Sequence, residues 1–220
     1  MPNQEDPREQ SPRGEEEGLE KSRLGRLWDR LCPPSRRVEF IQALAAEHGA
    51  QCQDGGYLHN ISARAELLHA GVTVHVASGV TPTRAPIEFT IFRAEISAKQ
   101  PLEFRLADQS IVHDLMDKVG LKDLQMGAAE IDRQFRIRGS DPVIIRQLLT
   151  EPLIREIVTD SRLATLEFSS MQRKRDEFAP GDKYELRLDV TGEIRSLDEL
   201  RTHYRRFSAA IDKLRELEII

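Results

Sequence analysis

Cys32, His48, Cys52 and His59 are the residues with the donor atoms a tetrahedral zinc ion takes, thiolate sulfur and imidazole nitrogen, and 15, 3 and 6 residues separate them in order. A finger-type site brackets its loop with short ligand pairs, and this spacing has none, so the sequence predicts no metal and no cofactor. His69, His75 and His113 could serve as general bases, because imidazole titrates near neutral pH. Each also has a plain structural place. His69 opens the turn His69-Ala70-Gly71, His75 lies on the polar side of an alternating strand, and His113 stands by Asp114 where Asp108 and Ser110 read as capping groups. A hydrolytic Ser, His and Asp set is recognised by geometry that spacing does not give. The chain contains no Gly-rich phosphate loop, dinucleotide fingerprint, G-x-S-x-G, H-E-x-x-H or C-x-x-C. These residues favour a protein that is not an enzyme, with a hydrolase as an alternative.

Arginine offers the other chemistry. Arg136 and Arg138 alternate with Phe135 and Ile137, which puts both guanidinium groups on one outer strand face. With Arg146 they form a candidate site for an anionic group, since arginine binds phosphate and carboxylate bidentately. Arg173, Lys174 and Arg175 make a second basic cluster in a loop. Solvated surface paired with nearby acids is the competing reading.

The chain of 220 residues is 39% hydrophobic, 31% charged and 5% aromatic, a globular profile, and its two cysteines make no disulfide framework. Such a length buries roughly 70% of its surface on folding and needs no staple. The formal charge of -5 resides in residues 1–20, where seven acids face Arg8 and Arg13. The rest is balanced, so no excess of Lys and Arg points to nucleic acid. No apolar stretch approaches the span of a bilayer, and the acidic, polar N-terminus is unlike a secretory signal, so a cytoplasmic location is expected.

Residues 1–20 hold three prolines and one large apolar side chain, Leu19, and read as a disordered acidic tail. Over 21–34, Leu24, Leu27, Trp28 and Leu31 recur at helical spacing before Pro33 and Pro34, a short amphipathic docking helix that either packs on its own domain or enters a partner's groove. Residues 35–220 read as a single α+β domain. Ser35 caps a helix that ends at Gly49. Strands follow at Ile61–Leu67, Val72–Val76, Ile87–Ile96 and Leu102–Leu106, and their short connections predict an antiparallel meander. The phase switch from Ile87, Phe89 and Ile91 to Phe92, Ala94 and Ile96 signals a β-bulge or two buried faces. A short helix near Ile111–Val119 precedes a strand at Phe135 and Ile137. Asp141-Pro142 starts a helix through Leu149, and Pro152 restarts one to about Thr159. Strands Leu163–Phe168 and Tyr184–Val190 come next. Ser196 and Glu199 form a capping box before a terminal helix with Leu197, Leu200, Tyr204, Phe207, Ile211 and Leu214 on one face, which either covers the sheet or forms a homodimer seam. Seven strands and a closing helix match a pleckstrin-homology-like element count with a helical insertion.

Residues 129–157, with Ile131-Asp132 before Phe135, Ser140-Asp141, and Leu148-Leu149-Thr150, resemble an uncharacterised bacterial family with a strand, a Ser-Asp turn and a helix ending in Leu-Leu-Thr. The likeness extends over roughly 129–215. It implies a bacterial cytosolic protein and carries no catalytic residue across.

The sequence therefore predicts a non-enzymatic interaction or scaffold protein that binds another protein, through Leu24, Leu27, Trp28 and Leu31. A peripheral binder of anionic lipid or a phosphorylated ligand, through Arg136, Arg138 and Arg146, is the alternative.

Overall fold

The structure, a computed structural model, describes residues 36–54, 61–81, 87–108, 122–125, 132–133, 135–159, 163–171 and 178–220. The expected helices at Leu24–Leu31 and Ile111–Val119, the cap Ser35, His113 and the 173–175 cluster lie outside them.

The amphipathic stripe Val38, Ile41, Leu44 and Ala45 forms helix α1 (Arg36–Glu47), which stops where Gly49 takes a φ of +65°. A short strand β1 (Cys52–Asp54) pairs with β2 (Ile61–His69). The alternation of β2 continues into β3 (Val72–Val80) through a two-residue turn. Ala70 and Gly71 have φ of 47° and 80° there, the doubly left-handed geometry that suits a hairpin's twist. Strand β4 (Glu88–Ser97) completes the meander.

The α+β class and the antiparallel sheet are as the sequence predicts, but the meander is cut short. Strand β5 (Phe104–Asp108) does not lie beside β4. The hairpin of β8 (Leu163–Ser170) and β9 (Lys183–Thr191) lies between them, β9 pairing with β4 and β8 with β5. Six residues, 98–103, carry the chain across that gap. Ala98 exchanges backbone hydrogen bonds with the turn before β9, and Lys99 N–H donates to Ile219 O at 2.7 Å. Short connection length does not enforce adjacency when a later hairpin offers better pairing.

Strand β7 (Phe135–Gly139) adds to the far side of β5, and β6 (Lys122–Leu124) forms the edge, for an order β1-β2-β3-β4-β9-β8-β5-β7-β6. Among the described residues nine strands replace the seven read from the sequence, because β1 and β6, three residues each, are too short to show a period. Strand β4 keeps unbroken register with both neighbours, so its phase switch is no bulge: Thr90, Phe92, Ala94 and Ile96 face the core, and Phe89 and Ile91 are half-buried on the other side.

The other described helices are α2 (Pro142–Leu148), α3 (Pro152–Thr159) and α4 (Leu197–Glu216). Asp141 caps α2, accepting from Val143 and Ile144 N–H at 2.8 and 3.1 Å. Ser196 accepts from Glu199 N–H at 3.1 Å, while the Glu199 carboxylate reaches Arg195 N–H at 2.9 Å.

All four described helices lie on one face of the sheet. Phe207 of α4 stacks at 5.9 Å on Phe92 of β4; Ile145 of α2 covers Gly139 of β7; Ile154 of α3 joins Phe104, Leu106 and Leu166; α1 packs on β2 and α4. Leu200, Tyr204, Phe207, Ile211 and Leu214 are buried within the chain, so the helix face offered as a homodimer seam is already occupied. Among the described residues no helix is long and apolar enough to cross a membrane.

Candidate binding face of the sheet

Burying one face of a strand leaves every second residue on the other. Here that other face carries no helix among the described residues, and the pairing order sets ionisable residues into a line across it. Glu66, His75, Arg93, Arg187, Glu167, Arg105, Arg138 and Asp123 are successive register partners on eight strands, from β2 to β6. Their sequence numbers share no period. The inserted β8–β9 hairpin joins Glu66, His75 and Arg93 to Arg105, Arg138 and Asp123 in one row.

Two like-charged pairs stand directly opposite in this row, Arg93 with Arg187 and Arg105 with Arg138, an arrangement that destabilises a sheet unless acids intervene. Carboxylates do so for three of the four. Arg93 pairs with Glu95 and Glu185, both at 2.6 Å, Arg187 with Asp189 at 3.0 Å, and Arg138 with Asp123 at 2.6 Å. His75 Nδ1 lies 3.5 Å from Glu66. Burial pushes the Asp189 carboxyl above the usual carboxylate range, with Glu167 adding to the rise and Arg187 and Arg105 opposing it.

Arg136 and Arg138 share this face, as the alternation predicts. Arg146 does not join them: it lies on α2, which covers the opposite face, and donates at 3.5 Å to Gln125 O beyond the edge strand. The sequence missed Arg105, whose alternation with Phe104 and Leu106 was visible but whose pairing with β7 was not.

Imidazole and carboxylate also meet at the β2–β3 hairpin tip. His69 Nε2 lies 2.9 Å from Asp212 Oδ1 of α4, and Arg215 donates to Ala70 O at 2.9 Å. The side chains of His69 and Asp212 are 26% and 55% exposed, so the pair sits at the surface, where it clamps the hairpin to α4. Tyr204 packs edge-on against His48 at 4.7 Å, and its hydroxyl is buried without an aligned hydrogen bond, as is that of Ser208. A cavity bordered by Phe104, Leu106, Ile145, Leu148, Leu149, Ile154, Leu166 and Ala210 is apolar and about 10 Å³, too small for a substrate. Among the described residues no group of three or more His, Cys, Asp or Glu side chains could hold a metal ion. Leu24, Leu27, Trp28 and Leu31 lie outside the described residues.

No protein-family model matches the chain, and no curated protein matches it. Among solved structures, the mycobacterial trehalose monomycolate transport factor A, TtfA, aligns over 83% of this chain and 97% of that one, with 11% sequence identity and a TM-score of 0.48.

Proposed function

We propose that this chain is a non-enzymatic interaction module of the cytoplasm that binds another folded protein through the face of its sheet that carries no helix among the described residues. The row of eight ionisable residues across that face carries the reading. Its sign alternates over short distances, and electrostatic complementarity to such a pattern requires a partner with fixed charges of both signs, as a folded protein has. An anionic membrane or a nucleic acid presents a single sign and would meet Glu66, Glu95, Glu185, Glu167 and Asp123 along with the arginines. A second copy fits poorly. A two-fold axis along the row sets each charge against itself, and one along the strands through its centre sets Arg93 against Arg105, His75 against Arg138 and Glu66 against Asp123, with only Arg187 and Glu167 complementary.

The test places a photo-crosslinking residue at Thr73, Glu95 or Arg136 on this face and at Gln42 or Arg205 on the helical side, in the full chain expressed in its native cells. Crosslinks to one protein from the first set, lost on reversing Glu66 and Arg93 without change in melting temperature, support the reading. Crosslinks confined to the helical side, to lipid, or to a second copy of the chain overturn it.

A further inference from the structure

We infer that Arg105 and Arg136, beside Arg138, form an oxyanion-binding corner on the proposed binding face, and that it takes a carboxylate from an acidic side chain of the partner. This rests on the reading of that face as a protein-binding surface. Arg105 stands directly opposite Arg138, and Arg136 stands opposite Ala107, two residues along from the arginine on each strand. Arg105 and Arg136 are thus diagonal neighbours, with Cβ atoms about 7–8 Å apart, a gap two arginine side chains bridge. Ala107, two residues from Arg105 and directly opposite Arg136, is the small residue beside both, and it is 5% exposed.

Arg93, Arg187 and Arg138 each hold a carboxylate within 3.0 Å. Arg105 and Arg136 have neither a hydrogen bond nor an ion pair among the described residues; Asp189 acts on Arg105 only through its charge. Arg64 on β2 is also without one, but it stands alone opposite Ala77 and makes no corner. Two adjacent guanidinium groups without an ion pair among the described residues match the forked donors that bind an oxyanion bidentately. Because this face is read as a protein-binding surface, the ligand is a carboxylate, the oxyanion that unmodified side chains of a folded protein present.

A blocked hexaglutamate peptide, titrated into the full chain at low salt and followed by the arginine Nε–H signals, tests this. Saturable shifts of Arg105 and Arg136 are expected. R105Q and R136Q should each weaken binding by about tenfold, with R64Q and R146Q within about twofold and all four variants melting as the wild type does. Equal loss in R64Q or R146Q overturns the corner, as does unsaturable binding. Tighter binding of inorganic phosphate than of the peptide overturns the choice of carboxylate. Arg136-dependent sedimentation with phosphatidylserine-containing vesicles, absent with phosphatidylcholine alone, overturns the protein source. Face-specific crosslinks that persist in the R105Q/R136Q double variant sink the corner and spare the proposed function.

Discussion

Gly139 closes β7 where α2 comes down on the sheet, and replacing it by alanine measures that contact. A Cβ there would stand 2.0 Å from Ile145 Cδ1, 3.4 Å from Ile145 Cγ1 and 3.1 Å from Glu103 O. Carbon atoms rest about 3.5–4.0 Å apart, so the δ-methyl must retreat by about 1.5 Å or more. Ile145 is 1% exposed, and the only slack beside it that the structure offers is the apolar cavity of about 10 Å³. The Glu103 carbonyl is backbone, held at 2.9 Å by Ser140 N–H, and yields less readily. Overpacking of this kind costs about 1–3 kcal/mol, against which alanine recovers about 0.5–1 kcal/mol of the entropy glycine loses in a strand. A net loss of about 1–2 kcal/mol is expected for Gly139→Ala, a fall of about 2–8 °C in melting temperature for a chain of this size. Ile145→Val removes the offending atom and alone costs about 1 kcal/mol. The double variant should therefore be no less stable than Ile145→Val by more than about 0.5 kcal/mol, giving a coupling of about 1 kcal/mol or more in urea denaturation. If Gly139→Ala is neutral, or if the two substitutions simply add, α2 does not rest on β7 as described.

Three further perturbations probe other parts of the frame. Arg37 donates to Gly79 O at 3.0 Å and pairs with Glu88 at 2.7 Å, with side chains 11% and 33% exposed, so Arg37→Met strands a half-buried carboxylate whose second oxygen already lacks a partner. It should cost about 2–3 kcal/mol and Glu88→Gln about 1 kcal/mol; denaturation midpoints in the reverse order would refute the pairing. Tyr204→Phe deletes a buried hydroxyl without an aligned partner and should raise stability by up to about 1 kcal/mol, a loss of more than that contradicting the assignment. Asp189 has its folded pKa raised by burial, so the native state holds its proton more tightly than the unfolded chain does. That contribution is complete below the ordinary carboxylate range and vanishes as pH rises through the folded value, so wild type should gain on Asp189→Asn as pH falls from neutral. A flat or opposite difference in urea midpoints across that range would refute it.

Local chemistry in the sequence located most elements, because capping and turn geometry depend on residues within four positions of each other. Asp141 caps α2 and Ser196 caps α4 as read, and Ala70-Gly71 turns the hairpin as expected. The stripe on α4 identified its buried side. Order along the sheet was not available by the same means. A strand's own alternation says which residues face the core but nothing about which strand lies alongside, and proximity in the chain favoured β4 beside β5 until β9 and β8 took those positions. Strands of three residues carry no period, so β1 and β6 were silent.

The candidate site inherits that division. Alternation through Phe135–Gly139 put Arg136 and Arg138 together correctly, since both belong to one strand and the period of two is enforced by the pleat. It could not exclude Arg146, whose side depends on how α2 packs, nor supply Arg105, which reaches β7 from 31 residues earlier in the chain. The same holds for the full row. Glu66 and Asp123 are 57 residues apart in sequence and stand at opposite ends of one line, while Arg187 and Glu167 in its middle are brought between them by the β8–β9 hairpin. Charges that a composition count sums to near zero thus become a spatial pattern only after the strands have chosen their neighbours. On the proposed reading it is that pattern, and not the count, that a protein surface would meet.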